Sequence, residues 1–186
     1  MKVIKWYSCF LLLIILVVCS GCNNAKPITV IWPKYLVNMM GYSAEQQVEL
    51  FQESNKDDKY ASDVYANDDG SITFKMNKEQ LKNSENKFTD NLTTNIEIAK
   101  EYGIIVTISD NKEVIYRCSS EIEVSDFIKV YVATVSTVIT LKMISGEDSD
   151  DWNLQIKVID ENTGRIIKEG TIPEEEIRIL PEDWEE

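Results

Sequence analysis

The run FIKVYVATVSTVITLKMISG, residues 127–146, constrains this chain more than any other stretch. A segment this apolar has three fates: a buried helix, a strand or a membrane span. Phe127, Val130, Tyr131, Thr134, Val135, Val138 and Ile139 recur at the i, i+3, i+4 spacing of one helix face. The many β-branched side chains pull toward strand, yet strands seldom exceed about 10 residues. A span needs roughly 20 apolar residues, and only 12 uncharged residues separate Lys129 from Lys142. Ser125 and Asp126 offer an N-cap and Gly146 a stop, so the sequence predicts a buried helix over 126–145. The rest of the domain has to surround it.

The flanking segments supply material for that. PITVIWP (27–33) is a short β-rich run ended by Pro33, the pattern of an edge strand. Ser43 and Gln46 form a capping pair ahead of Ala44, Val48 and Phe51, which predicts a short amphipathic helix. A polar loop is expected over 55–62. DVYANDDGSITFKM (63–76) alternates on both sides of Asp69-Gly70, a type I′ hairpin signal. Asn77 and Gln80 open a long helix whose apolar stripe is Leu81, Phe88, Leu92, Ile96 and Ala99, stopped at Gly103. A second hairpin spans 104–118 with Asp110-Asn111 at its turn, and a third spans 152–172 around Gly164. Residues 173–186 are acidic and read as a mobile tail or as a short element docked through Ile177, Ile179 and Leu180. The order β-α-ββ-α-ββ-α-ββ predicts a single α+β domain over 28–172, an antiparallel sheet of hairpins packed against about three helices.

Upstream of the domain, Lys2 and Lys5 precede an apolar run from Trp6 to Cys19, the layout of an export signal. It is too short for a stable span. Ser20 and Gly21 stand before Cys22, with Asn23 and Asn24 after it. This resembles the site at which bacterial lipoproteins are cleaved and diacylated on cysteine. Residues 1–21 are then the signal peptide, Cys22 carries the lipid, and 22–27 form a linker. Cys19 is the competing acceptor, but the bulky Val17 and Val18 precede it; an uncleaved short anchor is the remaining alternative. The protein is expected on the extracytoplasmic face of the cell membrane.

After cleavage at Cys22 the chain holds 17 basic and 32 acidic residues. Such a balance excludes binding to nucleic acid, which needs clustered lysine and arginine. No histidine is present, and Cys118 is the only cysteine after Cys22, so neither a zinc site nor a thiol–imidazole pair is expected. Glycine-rich phosphate loops, GxSxG and HExxH are absent from the sequence. Asp160, Asn162 and Gly164 begin like a calcium loop, but Arg165 and Thr171 stand where glycine and glutamate are required. A turn is expected there. The acidic loop 147–151 reads as a solvated connection, with weak calcium binding left open. Trp32, Tyr35 and Tyr42 are candidates for an aromatic ligand face, the alternative being lids on the core. No catalytic residue, metal ligand or cofactor is expected.

With the leader and NDDGSITFKMNKEQ (67–80) both in place, the chain resembles a group of small uncharacterised lipoproteins of Gram-positive bacteria. Its members share the lipidated cysteine, the proline-ended strand, the NDDGS hairpin feeding a helix, and a closing D-x-x-TG hairpin. The third helix departs from the group by its β-branched content. The resemblance implies a surface-anchored protein and carries over no catalytic residue. A membrane-tethered binding or interaction module with an unknown envelope protein or ligand is therefore expected. The alternatives are a carboxylate-based envelope hydrolase and an immunity or inhibitor lipoprotein.

Overall fold

The computed structural model describes residues 26–119 and 121–184. Four α-helices and seven strands form there in the order β1 (Ile28–Trp32), α1 (Lys34–Met39), α2 (Ala44–Asp58), β2 (Asp63–Ala66), β3 (Ile72–Met76), α3 (Lys78–Glu101), β4 (Ile105–Ser109), β5 (Glu113–Cys118), α4 (Val124–Ile144), β6 (Leu154–Asp160) and β7 (Ile166–Ile172). A single 3-10 turn, Pro181–Trp184, follows. The fold is α+β, as the sequence pattern predicts.

The apolar run is helical, as α4. Its hydroxyl side chains answer their own backbone: Thr134 donates to Val130 O at 2.7 Å, Thr137 to Ala133 O at 2.7 Å and Thr140 to Ser136 O at 2.9 Å. Bonding back by one turn lets threonine sit inside a helix with no unmet donor. Glu123 occupies the N-cap without a side-chain bond, so the helix starts ahead of the expected Ser125-Asp126 cap. From Thr134 onward burial spreads beyond one face, to Thr137 and to Thr140 through Ile144. Among the described residues α4 is the one helix long and apolar enough to cross a membrane, but more than half of it is buried in protein. It is a core helix.

The long helix α3, whose Asn95 donates to Ala133 O at 3.1 Å, and two sheets account for that burial. The first has strand order β1-β3-β2, all antiparallel, with β1 at the expected edge. The second has order β4-β5-β6-β7, and its central pair, β5 with β6, is parallel. The hairpin pattern predicts one antiparallel sheet; the structure divides it in two and joins two hairpins side by side. The reason is α4 itself. Parallel neighbours need a long crossover, and α4 lies between β5 and β6 in sequence, carrying the chain back to the same end. Phe127 and Tyr131, near its start, pack against Tyr116 of β5 at 5.4 and 5.9 Å between ring centroids.

The capping pairs form at both predicted places. Ser43 and Gln46 bond reciprocally at 3.3 and 3.0 Å, and Asn77 and Gln80 do so at 2.9 Å each. The helix that Ser43 opens continues through Asp58, into the segment predicted as loop, and stops at Lys59 with φ 50°. The short α1 was not predicted, because six residues are too few to show a period. Pro33 caps it, Leu36 and Val37 are buried, and the buried Gln47 of α2 ties it down by donating to Val37 O at 2.8 Å.

The turn chemistry is exchanged between the first two hairpins. Asp110 and Asn111 both have positive φ, 48° and 53°, and Lys112 N donates to Ser109 O at 2.8 Å, the two-residue type I′ form. At the first hairpin only Gly70 takes positive φ, and it closes the turn by donating to Asn67 O at 2.9 Å.

Past β7 the chain docks rather than trailing away. Glu175 accepts from Thr171 N at 2.8 Å, Ile179 joins the core, Arg165 donates to Asp183 O at 3.2 Å, and Trp184 lies edge-on to Phe127 at 6.5 Å.

Lys142 closes the far end of α4. Its side chain is 3% exposed, and its ammonium meets Glu147 at 3.0 Å and Asn111 O, in the type I′ turn, at 3.0 Å. Stranding a buried charge costs more than exchanging it for an apolar group of its own size. Glu147→Ala is therefore expected to lower unfolding free energy by about 2 kcal/mol, and Lys142→Met to change it by less than about 1 kcal/mol. Urea denaturation of both variants checks the order; the reverse order would contradict it.

Candidate ligand-binding cavity

The inner face of the first sheet and three helices enclose a cavity of about 220 Å³. β1 turns Val30 and Trp32 inward, and the central strand β3 adds Phe74 and Met76. From α2 come Phe51 and Ser54; from α3 come Ser84, Lys87 and Phe88, three positions at i, i+3, i+4; from α4 come Thr140 and Ile144, one turn apart. Aromatic rings form much of the wall. Trp32 lies 5.0 Å from Phe51, 4.9 Å from Phe74 and 6.4 Å from Phe88, and Phe51 lies 5.1 Å from Phe74. Three of these four contacts are edge-to-face, which suits the ring quadrupoles but leaves space that flat stacking would fill. Tyr60, half-buried, and Lys87, exposed, border the same space. The Lys87 ammonium is hydrogen-bonded to the Tyr60 hydroxyl and lies 4.0 Å from its ring centroid.

Two shallower depressions differ in character. One of about 330 Å³ lies between Tyr35 and Trp152, 5.7 Å apart, with Lys34, Asp69 and Asp150 around it. Asp69 accepts from Ser71 N at 2.8 Å and from Ser71 Oγ at 2.7 Å, and these bonds hold its carboxyl below the usual range. A general acid needs the opposite shift. The other, of about 410 Å³, runs along Met39, Tyr131, Glu176 and Ile177. Both are open and partly polar, whereas the aromatic cavity is largely enclosed.

The residues singled out from sequence fall in separate places. Cys22 lies outside the described residues. Cys118, buried on β5, has its thiol pushed up to about 12, first by burial and then by the charges of Asp160 and Glu161. Asp160 accepts from Asn162 N at 2.8 Å and Thr163 N at 3.3 Å, and Gly164 follows with φ 74°, so this stretch is a turn between β6 and β7. In the acidic loop Glu147 is taken by Lys142, and Asp148 accepts from Asp150 N at 2.9 Å. Among the described residues no three acidic or cysteine side chains are gathered closely enough to hold a metal ion. Trp32, Tyr35 and Tyr42 part company: Trp32 is in the cavity wall, Tyr35 is against Trp152, and Tyr42 is exposed in the turn between α1 and α2.

Comparison with protein-family models, with curated proteins and with solved structures finds no match to this chain in any of the three. The functional reading therefore rests on the cavity and the leader. Sequence reasoning passed over Ser84, Tyr60 and Lys87. A signal for Ser84 existed: the α3 stripe skips from Leu81 to Phe88, and Ser84 fills the missing position on that face. Nothing local marks Tyr60, which reaches the cavity from the turn after α2.

Proposed function

We propose that this protein is a lipid-anchored extracytoplasmic binding module that takes a small apolar molecule into its aromatic cavity. The observation that carries the reading is the largely enclosed cavity of about 220 Å³ walled in part by Trp32, Phe51, Phe74 and Phe88. Interiors normally close such spaces, and an apolar void of about 150 Å³ is already large enough to bind benzene. Ligand sites are commonly concave and apolar with a few polar groups, and this one has that composition. The basic, apolar and small-residue segments that lead to Cys22 support export and tethering. Attachment at Cys22 would place the domain against the outer membrane surface, where apolar molecules partition.

Indene, a bicyclic hydrocarbon, tests the cavity. Added to the full chain it is expected to raise the melting temperature, since a ligand at about 100 times its Kd adds about 2.7 kcal/mol to stability. Val30→Phe, which places a ring in the void, is expected to abolish that shift. An equal shift in both proteins would sink the reading.

A further inference from the structure

We infer that the molecule held in this cavity carries one hydrogen-bonding group, and that the Ser84 hydroxyl is the group it pairs with. The inference rests on the binding reading and specifies the chemical class: a mainly apolar, ring-sized compound with a single polar atom, such as an indole or a phenol.

Ser84 is 2% exposed and lines the cavity, yet its hydroxyl bonds to no described group. Its neighbours behave otherwise. On the same helix Thr89, Thr93 and Thr94 each donate to the carbonyl one turn back, at 2.8, 3.1 and 3.1 Å. The three other hydroxyls in the cavity wall are engaged, Ser54 with Phe51 O at 3.1 Å, Thr140 with Ser136 O at 2.9 Å and Tyr60 with the Lys87 ammonium. Ser84 alone among the hydroxyls of this wall makes no bond to a described group, so both its donor and its acceptor capacity are left for the void. A hydroxyl that faces a void with no protein partner gains nothing from its position, and serine is also a weaker helix former than alanine. On stability grounds position 84 favours alanine; a ligand that bonds to the hydroxyl reverses the preference. Phe88, one turn along α3, and Trp32 on β1 would then hold the apolar body. The volume exceeds the 150 Å³ or so that benzene fills and leaves room for a second small ring or a substituent.

Indole and indene separate these contributions, because they share a bicyclic shape and differ by one N–H. Their affinities for the full chain in detergent micelles are measured by calorimetry, for wild type and Ser84→Ala; partition into micelles is common to both proteins. Wild type is expected to bind indole about 5-fold tighter than indene, the worth of one net hydrogen bond. In Ser84→Ala the ratio is expected to fall to about 1 while the ligand-free melting temperature rises by about 3 °C. An unchanged ratio in Ser84→Ala, or a lowered melting temperature, would overturn the inference and leave the cavity reading standing. If neither compound binds wild type, both fall together.

Discussion

A Cys22→Ser protein is expected to carry no fatty-acid label in a bacterial host that labels the wild type, and to leave the membrane fraction. The change is one atom, sulfur to oxygen, and the expected effect is all-or-none. Only a thiol forms the thioether to the glyceride, and residues as small as Ser20 and Gly21 would give a peptidase access to the backbone before it. The energetic scale follows from the chains: each buried methylene contributes about 0.8 kcal/mol, so one acyl chain holds a protein marginally and two hold it firmly. Cys19→Ser is expected to leave the label in place, since the bulky Val17 and Val18 stand before it where Cys22 has the small Ser20 and Gly21. Metabolic labelling with a fatty-acid probe, followed by fractionation, reads all three proteins. Label that persists in Cys22→Ser would overturn the anchor.

The second large effect is alkaline unfolding. Burial pushes the Cys118 thiol up to about 12, and burial likewise pushes the phenols of Tyr116 and Tyr131 well above their ordinary value. In the unfolded chain these groups ionise near 9.0 and 10.0. Between those values and the folded ones the native state binds more protons than the unfolded state. Stability is therefore complete below about pH 9 and is lost as the pH rises through the folded values. Each group contributes up to about 1.4 kcal/mol per pH unit, and domains are stable by only about 5–15 kcal/mol. Loss of the near-ultraviolet circular dichroism of the Tyr116–Phe127–Tyr131 cluster is expected between about pH 10 and 12. Tyr131→Phe keeps the ring and removes one titrating group, so its midpoint is expected to move up. An unmoved midpoint would exclude Tyr131 as a contributor. The same burial predicts that Cys118 stays unreactive toward a thiol reagent at neutral pH until the domain unfolds.

How much of this was legible in the sequence depends on the range of the physics involved. Ser43 with Gln46 and Asn77 with Gln80 form their reciprocal caps because each bond joins atoms three residues apart. The helical state of 124–144 was likewise readable, since periodicity and Thr-to-carbonyl bonds act within one turn. The hairpins were readable as hairpins, but the turn forms were not. Asp69-Gly70 looks like the type I′ pair, yet the five-residue connection from Asn67 to Ser71 uses positive φ only at Gly70, and Asp110-Asn111 takes the primed form. The length of the connection decides that, not the dipeptide alone.

What only the tertiary structure decided is whatever depends on distant segments meeting. The parallel pairing of β5 with β6 follows from α4 crossing between them, and no pattern inside either strand specifies a neighbour. Lys142 looks like a solvated end to an apolar run until Asn111 and Glu147 close over it. The cavity is made by β1, β3, α2, α3 and α4, none of which carries a signature of it alone. Ser84 shows the division most sharply: the sequence determines that a serine interrupts an apolar stripe, because a helix repeats every 3.6 residues. That it faces a void between four aromatic rings is settled only by packing, because the rings come from three other segments of the chain as well as from α3.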